Sequence, residues 1–232
     1  RRNQPDALVN SRIGHGLGDY VSLGDMEVPV KSVDGLWETV DTTNDSWSYA
    51  WYDENWKRPK ELLERLLSTI ARGGTYMLNV GPRGDGTIPE RAAESLRAAG
   101  RWIARYPNVV YGTDGSPWGH AMPWGDVITK NNTLYLCVFD WPEDRVLRLP
   151  GLKTPVASAS FLRDGKVETL SVGGRNGWVE IAVTDTRLEP LVPVVTVTLE
   201  GVPEVDATHG VDPVATTSIS AAFATAIGCD AD

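Results

Sequence analysis

The chain has 232 residues, 41% hydrophobic and 23% charged, which suits one large or two small globular domains and excludes a low-complexity chain. A net charge of −9 argues against a nucleic-acid surface, and no apolar run approaches membrane-spanning length. Cys137 and Cys229 lie too far apart in sequence to suggest a disulfide framework, and His15, His120 and His209 are scattered, so neither metal nor cofactor is expected.

The chain opens on Arg1-Arg2-Asn3-Gln4-Pro5, which reads as the end of a helix entering a strand; with no initiator Met, the sequence is expected to be a fragment. Asp6–Ser11 predicts a short buried strand at Ala7-Leu8-Val9, with Asn10, Ser11 and Arg12 at its carboxyl end. Gly14, Gly16 and Gly18 predict an irregular loop, followed by Asp19-Tyr20 and by Gly24–Pro29, which carries two carboxylates, Asp25 and Glu27. Gly35–Thr39 predicts a strand ending at Glu38. A long loop with Asn44-Asp45-Ser46-Trp47 and Asn55-Trp56 follows. Loops of that length are usually functional or disordered, and the aromatics argue against disorder. The chain has nine tryptophans; most belong in a core, but rings in such a loop also suit sugar C–H faces.

Pro59–Arg72 predicts an amphipathic helix with Leu62, Leu63, Leu66, Leu67 and Ile70 inward and Lys60, Glu61, Glu64 and Arg65 outward. Gly73-Gly74 would end it in a left-handed conformation. Thr75–Val80 predicts a strand buried on both faces, with Asn79 at its carboxyl end. Gly81–Gly86 predicts a turn-forming loop, and Pro89–Tyr106 a second helix with Ala92, Leu96, Ala99, Trp102 and Ile103 inward. No Lys-Ser/Thr follows the Gly-rich loop, which excludes a P-loop. Strand, loop, helix repeated is the rhythm of a parallel α/β fold.

Beyond Tyr111-Gly112-Thr113 the rhythm changes. Short β-rich runs at 126–129, 133–140, 146–149, 156–161, 167–172, 178–183 and 194–199 predict an antiparallel sandwich or barrel. The boundary is expected near residues 112–117, giving units 1–113 and 114–203. Residues 204–232, rich in Ala, Thr, Asp and Ser, are expected to form a disordered tail.

Trp37-Glu38-Thr39, Asn44-Asp45-Ser46-Trp47, Asn55-Trp56, Gly73-Gly74, Asn79-Val80-Gly81-Pro82, Gly84-Asp85-Gly86-Thr87-Ile88-Pro89, Trp102 and Tyr111-Gly112-Thr113 occur in one order. Together they resemble the α-L-fucosidases of glycoside hydrolase family 29, over roughly Pro5 to Thr113. The resemblance implies α/β followed by all-β: the C-terminal part of a (β/α)8-like TIM barrel plus a C-terminal antiparallel β-sandwich. It implies a retaining exo-glycosidase acting on terminal α-L-fucosides of fucosylated oligosaccharides or glycoconjugates. An Asp nucleophile would attack the anomeric carbon while a second carboxylic acid protonates the leaving oxygen.

The family's nucleophile lies on a strand before the Asn-Ser-Arg strand, in a Trp-x-Asp context. No such segment precedes Arg1, so this chain by itself is expected to be inactive. The resemblance places the acid/base in the loop after Gly18-Asp19-Tyr20. Asp25 takes the position when the chain is aligned back from Trp37-Glu38; Glu27 takes it when aligned on Pro29; Glu38 is a third candidate. Arg12 is similar to the family's arginine that reaches the sugar or the nucleophile, and Trp37 and Trp47 are candidates to line the site. Without the resemblance, Asp25 and Glu27 read as solvated loop charges, Arg12 as a surface residue, and Asn79 as a partner of the neighbouring loop. A different class of reading makes the chain a carbohydrate-binding β-sandwich module using Trp118, Trp124, Trp141 and Trp178, or a structural remnant. The substrate class implies an extracellular or periplasmic location.

Overall fold

The computed structural model describes residues 3–163, 166–175, 177–183 and 190–206. The chain divides into two compact units, Arg1–Gly115 and Ser116–Asp232.

In the first unit three parallel strands, β1 (Val21–Ser22), β2 (Trp37–Thr42) and β3 (Thr75–Asn79), lie in that order. Helix α1 (Pro59–Ala71) connects β2 to β3, and α2 (Glu90–Arg105) and the short α3 (Pro107–Val110) follow. Pro59 opens α1, where its missing N–H costs nothing, and Leu62, Leu63 and Leu67 are buried. Its end follows from two glycines. The Gly73 N–H donates to the Ile70 carbonyl at 2.8 Å and the Gly74 N–H to the Thr69 carbonyl at 3.0 Å. Gly73 takes φ 80° for this, the left-handed cap that closes a helix. Gly74 is needed for a different reason: a Cβ there would lie 2.3 Å from the Trp37 indole.

Several expectations change. Ala7–Val9 forms no strand; the segment makes one parallel bridge, Asn10 to Tyr20, and the strand that pairs with β2 is Val21–Ser22. The strand expected at Gly35–Thr39 runs from Trp37 to Thr42, so Glu38 stands near its start, not at its carboxyl end. β3 is not buried on both faces: it is an edge strand paired to β2 alone, and Met77 is 46% exposed. β2 is the central strand and the buried one. Arg65 does not point outward from α1, because a carboxylate inside the fold holds it, as described below.

The second unit is antiparallel throughout. Strands β4 (Gly125–Lys130), β5 (Thr133–Val138), β7 (Val156–Arg163), β8 (Lys166–Thr169) and β11 (Val194–Leu199) form one sheet, ordered β4-β5-β11-β7-β8. Strands β6 (Val146–Pro150), β9 (Ser171–Arg175) and β10 (Trp178–Ala182) form a second, ordered β6-β10-β9. Leu134, Leu136, Phe161, Val195 and Val197 of the first sheet share one core with Leu147, Leu149 and Ile181 of the second. At about 1.5–3 kcal/mol for each fully buried apolar side chain, this core outweighs exposed ion pairs such as Lys153–Asp206, which are worth about 0–1 kcal/mol each.

The run expected as one strand at 167–172 is two, β8 and β9, in different sheets. The break falls at Leu170, whose N–H still donates to the Ala159 carbonyl while its side chain packs against the core. Of the segment expected as a tail, residues 204–206 belong to this unit. Val205 bridges Leu152 and the Asp206 N–H donates to the Gly151 carbonyl. Residues 207–232 lie outside the described residues.

Gly74→Ala is expected to lower stability by about 1–3 kcal/mol, the usual cost of overpacking. Gly84→Ala, where a Cβ meets nothing within 4 Å, should leave the urea midpoint nearly unchanged. Equal midpoints for the two variants would contradict the packing of Trp37 on Gly74.

Candidate active site

A cleft of about 630 Å³ lies over Val40 of β2 and the carboxyl end of β3, lined by Arg12, Asp25, Val40, Trp47, Met77, Leu78, Asn79 and Val80. Its residues come from separate segments, and each segment has a local reason for its place.

Arg12 sits on the single 3-10 turn Ser11–Ile13. The Asn10 side-chain oxygen caps that turn by accepting from the Arg12 N–H at 2.8 Å. The amide nitrogen of Asn10 donates to Glu38 Oε1 at 2.8 Å and to Ser22 Oγ at 2.6 Å, and Ser22 Oγ donates to Glu38 Oε1 at 2.7 Å. Glu38 therefore stands behind Arg12 and orients it through Asn10.

Asp25 lies on the loop after β1, which runs along the edge of β2. The Leu23 and Met26 N–H groups donate to the carbonyls of Glu38 and Val40, at 3.2 and 2.8 Å, and Thr39 Oγ1 donates to the Glu27 carbonyl at 2.8 Å. Met26 takes φ 59°, a left-handed conformation uncommon for a residue with a side chain. This sharp bend separates the two neighbouring carboxylates. Asp25 faces the cleft and pairs with Arg12, each about half exposed. Glu27 turns back over Gly24, where an added Cβ would be 2.3 Å from Glu27 Oε2.

Trp47 enters from the loop after β2 and is 40% exposed. Its carbonyl accepts from Asn79 Nδ2 at 2.7 Å, tying the end of β3 to that loop. Gly81 packs directly on the Ser48 and Tyr49 backbone, and the Arg83 guanidinium lies 5.7 Å above the Tyr49 ring. The Gly-rich loop closes on itself: Thr87 donates its N–H and hydroxyl to Asp85 Oδ1, at 2.9 and 2.7 Å, and Gly86 takes φ 84°. Those two bonds are the leading influences that hold the Asp85 carboxyl below its ordinary range.

The cleft thus brings together Arg12, Asp25 and Trp47. Glu27 and Glu38 are not among the residues that line it, and neither is Trp37, which is 2% exposed beneath Gly74. Val40 and Met77 went unseen in the sequence; carrying the strand signal through to Thr42 would have placed Val40 on the same face as Glu38. Among the described residues no group of three or more His, Cys, Asp or Glu could hold a metal ion.

A buried ionic cluster lies on the other face of β2. Asp41 is fully buried and paired with Arg65 and, at 3.4 Å, with Lys57. Tyr76 donates to it at 2.8 Å and the Thr42 N–H at 2.7 Å. Burial alone would push the Asp41 carboxyl up, but hydrogen bonds from Arg65, Tyr76 and the Thr42 backbone, together with the Arg65 charge, hold it below the usual range. Burial and the Asp41 charge push the Tyr76 hydroxyl up. The two cations do more than neutralise. Arg65 Nη2 also donates to the Met26 carbonyl, and Lys57 Nζ to the Asn44 carbonyl at 3.0 Å. One buried carboxylate thereby anchors both the loop that carries Asp25 and the loop that carries Trp47.

Residues 1–108 match the family model for Alpha-L-fucosidase. The chain is similar to the tissue α-L-fucosidase of Mus musculus, 28% identical over 188 residues that cover 75% of this chain and 39% of that protein. It is similar in structure to an α-L-fucosidase from Vibrio sp. strain EJY3, at TM-score 0.78 and 26% identity, covering 89% of this chain and 38% of that one. A third relative is a family 29 α-L-fucosidase from Bacteroides thetaiotaomicron trapped as a covalent intermediate with 2-fluoro-fucosyl fluoride. It matches at TM-score 0.72 and 26% identity, over 85% of this chain and 50% of that one. The chain spans half or less of the length of each of these three proteins.

Asp41→Asn, which leaves Arg65 and Lys57 without their carboxylate, is expected to cost about 3–5 kcal/mol at neutral pH. The folded Asp41 value lies below the ordinary 3.8, so its contribution is complete above 3.8 and is lost as pH falls through the depressed folded value. Chemical denaturation of both proteins across this range should show the gap narrowing below 3.8. A gap that stays constant would remove Asp41 as the titrating group.

Proposed function

We propose that this chain is the C-terminal part of a retaining, exo-acting α-L-fucosidase, in which Asp25 is the general acid/base. Residues 1–113 are assigned to the end of a (β/α)8-like barrel and residues 114–203 to a β-sandwich. The observation that carries this reading is the pairing of Asp25 with Arg12 in a cleft that also holds Trp47. A three-stranded parallel sheet whose β2 and β3 are joined through a helix, with a cleft at the carboxyl end of β3, agrees with a segment of such a barrel.

Retention of configuration needs two carboxyl groups about 5–5.5 Å apart. Asp25 is the one carboxylate among the residues lining the cleft. The nucleophile is therefore assigned to a part of the parent protein outside these 232 residues, and the chain on its own is expected to be inactive. In the first step the nucleophile's oxygen bonds to the anomeric carbon as the glycosidic bond breaks, and the Asp25 proton passes to the leaving oxygen. In the second, Asp25 takes a proton from water as that water displaces the carboxylate. Arg12 holds the Asp25 carboxylate between these roles, Trp47 offers a ring face to the sugar, and Glu38 positions Arg12 through Asn10. The substrates are fucosylated oligosaccharides or glycoconjugates, and the location is extracellular or periplasmic. The alternative of a carbohydrate-binding sandwich gains no support from its tryptophans. Trp118 and Trp124 are buried with their N–H groups on the carbonyls of Pro150 and Arg148, and Trp141 and Trp178 are half-buried.

The test belongs in the full-length parent. Asp25→Ala is expected to slow an unactivated fucoside about 10²–10⁴-fold, and an aryl fucoside with a good leaving group much less. Azide, which needs no general base, should restore turnover and give fucosyl azide of retained configuration, since two displacements occur. Near-normal hydrolysis of the unactivated fucoside by Asp25→Ala would reject the assignment and move it to Glu27 or Glu38.

A further inference from the structure

We infer that the ring pair Trp51–Tyr52 is a stacking platform for the neutral sugar residues to which the terminal fucose is attached. The inference rests on the fucosidase reading and adds to it a site outside the cleft.

Trp51 is 78% exposed and Tyr52 72% exposed, far more than Trp47 at 40%. Their rings stand edge to face, with centroids 5.8 Å apart and planes at 84°. The Asp53 N–H donates to the Ala50 carbonyl at 3.2 Å, so the two aromatics occupy the central positions of a tight turn. Such positions favour Gly, Pro, Asn, Asp and Ser, and the two large rings there are left mostly uncovered by the described residues.

The turn is nevertheless held firmly. Ser46 Oγ donates to Asp53 Oδ2 at 2.6 Å and the Asn55 N–H to Asp53 Oδ1 at 3.1 Å. Asn55 Nδ2 donates to Asp45 Oδ2 at 2.7 Å, and the Lys57 N–H closes the base of the loop on the Thr43 carbonyl at 2.9 Å. The ordering cost of presenting two rings is therefore met before any ligand arrives, which is how rigid aromatic anchors work in binding surfaces.

Position and charge select the occupant. Trp51 is four positions after Trp47, so their Cα atoms are at most about 14 Å apart. A glycan whose fucose occupies the cleft extends over that distance in its next few rings. The loop carries Asp45, Asp53 and Glu54 and lies in a chain of net charge −9, which disfavours acidic glycans and anionic lipid surfaces. Neutral pyranoses present the apolar C–H faces that the rings can cover.

The test compares Trp51→Ala and Trp51→Phe with wild type in the full-length parent, on fucosyllactose and on nitrophenyl α-L-fucoside. Trp51→Ala is expected to lower kcat/KM for fucosyllactose about tenfold, through KM, and Trp51→Phe to restore much of the loss. Turnover of the aryl fucoside, which has no second sugar, should stay within about twofold of wild type. Equal loss on both substrates, or loss on neither, overturns the platform. So does binding of zwitterionic vesicles that Trp51→Ala abolishes while fucosyllactose kinetics stay unchanged. If wild type turns over neither fucoside, the fucosidase reading fails. Titration with lactose then decides: a fluorescence change in wild type that Trp51→Phe lacks supports the platform, and no change overturns it.

Discussion

A carboxylate in the interior of a small α/β unit is the constraint around which the rest is arranged. Asp41 lies on the central strand with no access to water, and an unpaired charge there would cost several kcal/mol. Its partners come from three elements: Arg65 from α1, Lys57 from the segment just before it, and Tyr76 from β3. That requirement sets how α1 lies on the sheet. It also reaches outward, because Arg65 and Lys57 spend their remaining donors on the carbonyls of Met26 and Asn44. The two loops that flank the cleft are thus held from behind by the same buried charge.

The front of β2 carries a second polar chain, and strand alternation explains why the two do not interfere. Glu38 and Val40 face one side, and Trp37, Thr39 and Asp41 the other. On the front, Glu38, Ser22 and Asn10 form a connected set of hydrogen bonds that ends at the turn bearing Arg12. Arg12 then meets Asp25, whose loop is held by Arg65 from the back. The ion pair in the cleft is accordingly exposed itself but attached at both ends to well-satisfied interior groups.

The nine tryptophans divide by environment. Trp37, Trp102, Trp118 and Trp124 are buried, Trp56, Trp141 and Trp178 are half-buried, and Trp47 and Trp51 stand exposed on one loop. Within the second unit, side chains such as Leu134, Phe161, Leu147 and Ile181 from both sheets share one core, and the Trp118 and Trp124 N–H groups are satisfied by backbone carbonyls there. The exposed aromatic surface is concentrated in the loop after β2, whose acidic and amide side chains are used to hold its shape.

Local chemistry made much of this legible beforehand. Leucine spacing and Pro59 announce α1, Gly73-Gly74 announces its end, and the Gly-rich segment after Asn79 can only be a turn. Ordered short motifs were enough to indicate a resemblance to the family whose model matches residues 1–108. What sequence could not decide was anything that depends on which neighbour lies across space. Ala7–Val9 and Thr75–Val80 both read as short apolar strands, yet the first forms none and the second gives an edge strand at Thr75–Asn79, because strand formation depends on the partner. Asp25 and Glu27 are two residues apart and chemically alike; the left-handed bend at Met26, held by bonds to β2 and α1, sends one into the cleft and the other away. Asp41 reads as an ordinary polar residue in a short strand until its three partners are known. Sequence determined the two long helices, their ends and the turns, through periodicity, caps and turn residues that act within a few residues. Tertiary structure alone decided the direction of each carboxylate, because that is set by hydrogen bonds and charges from residues distant in the chain.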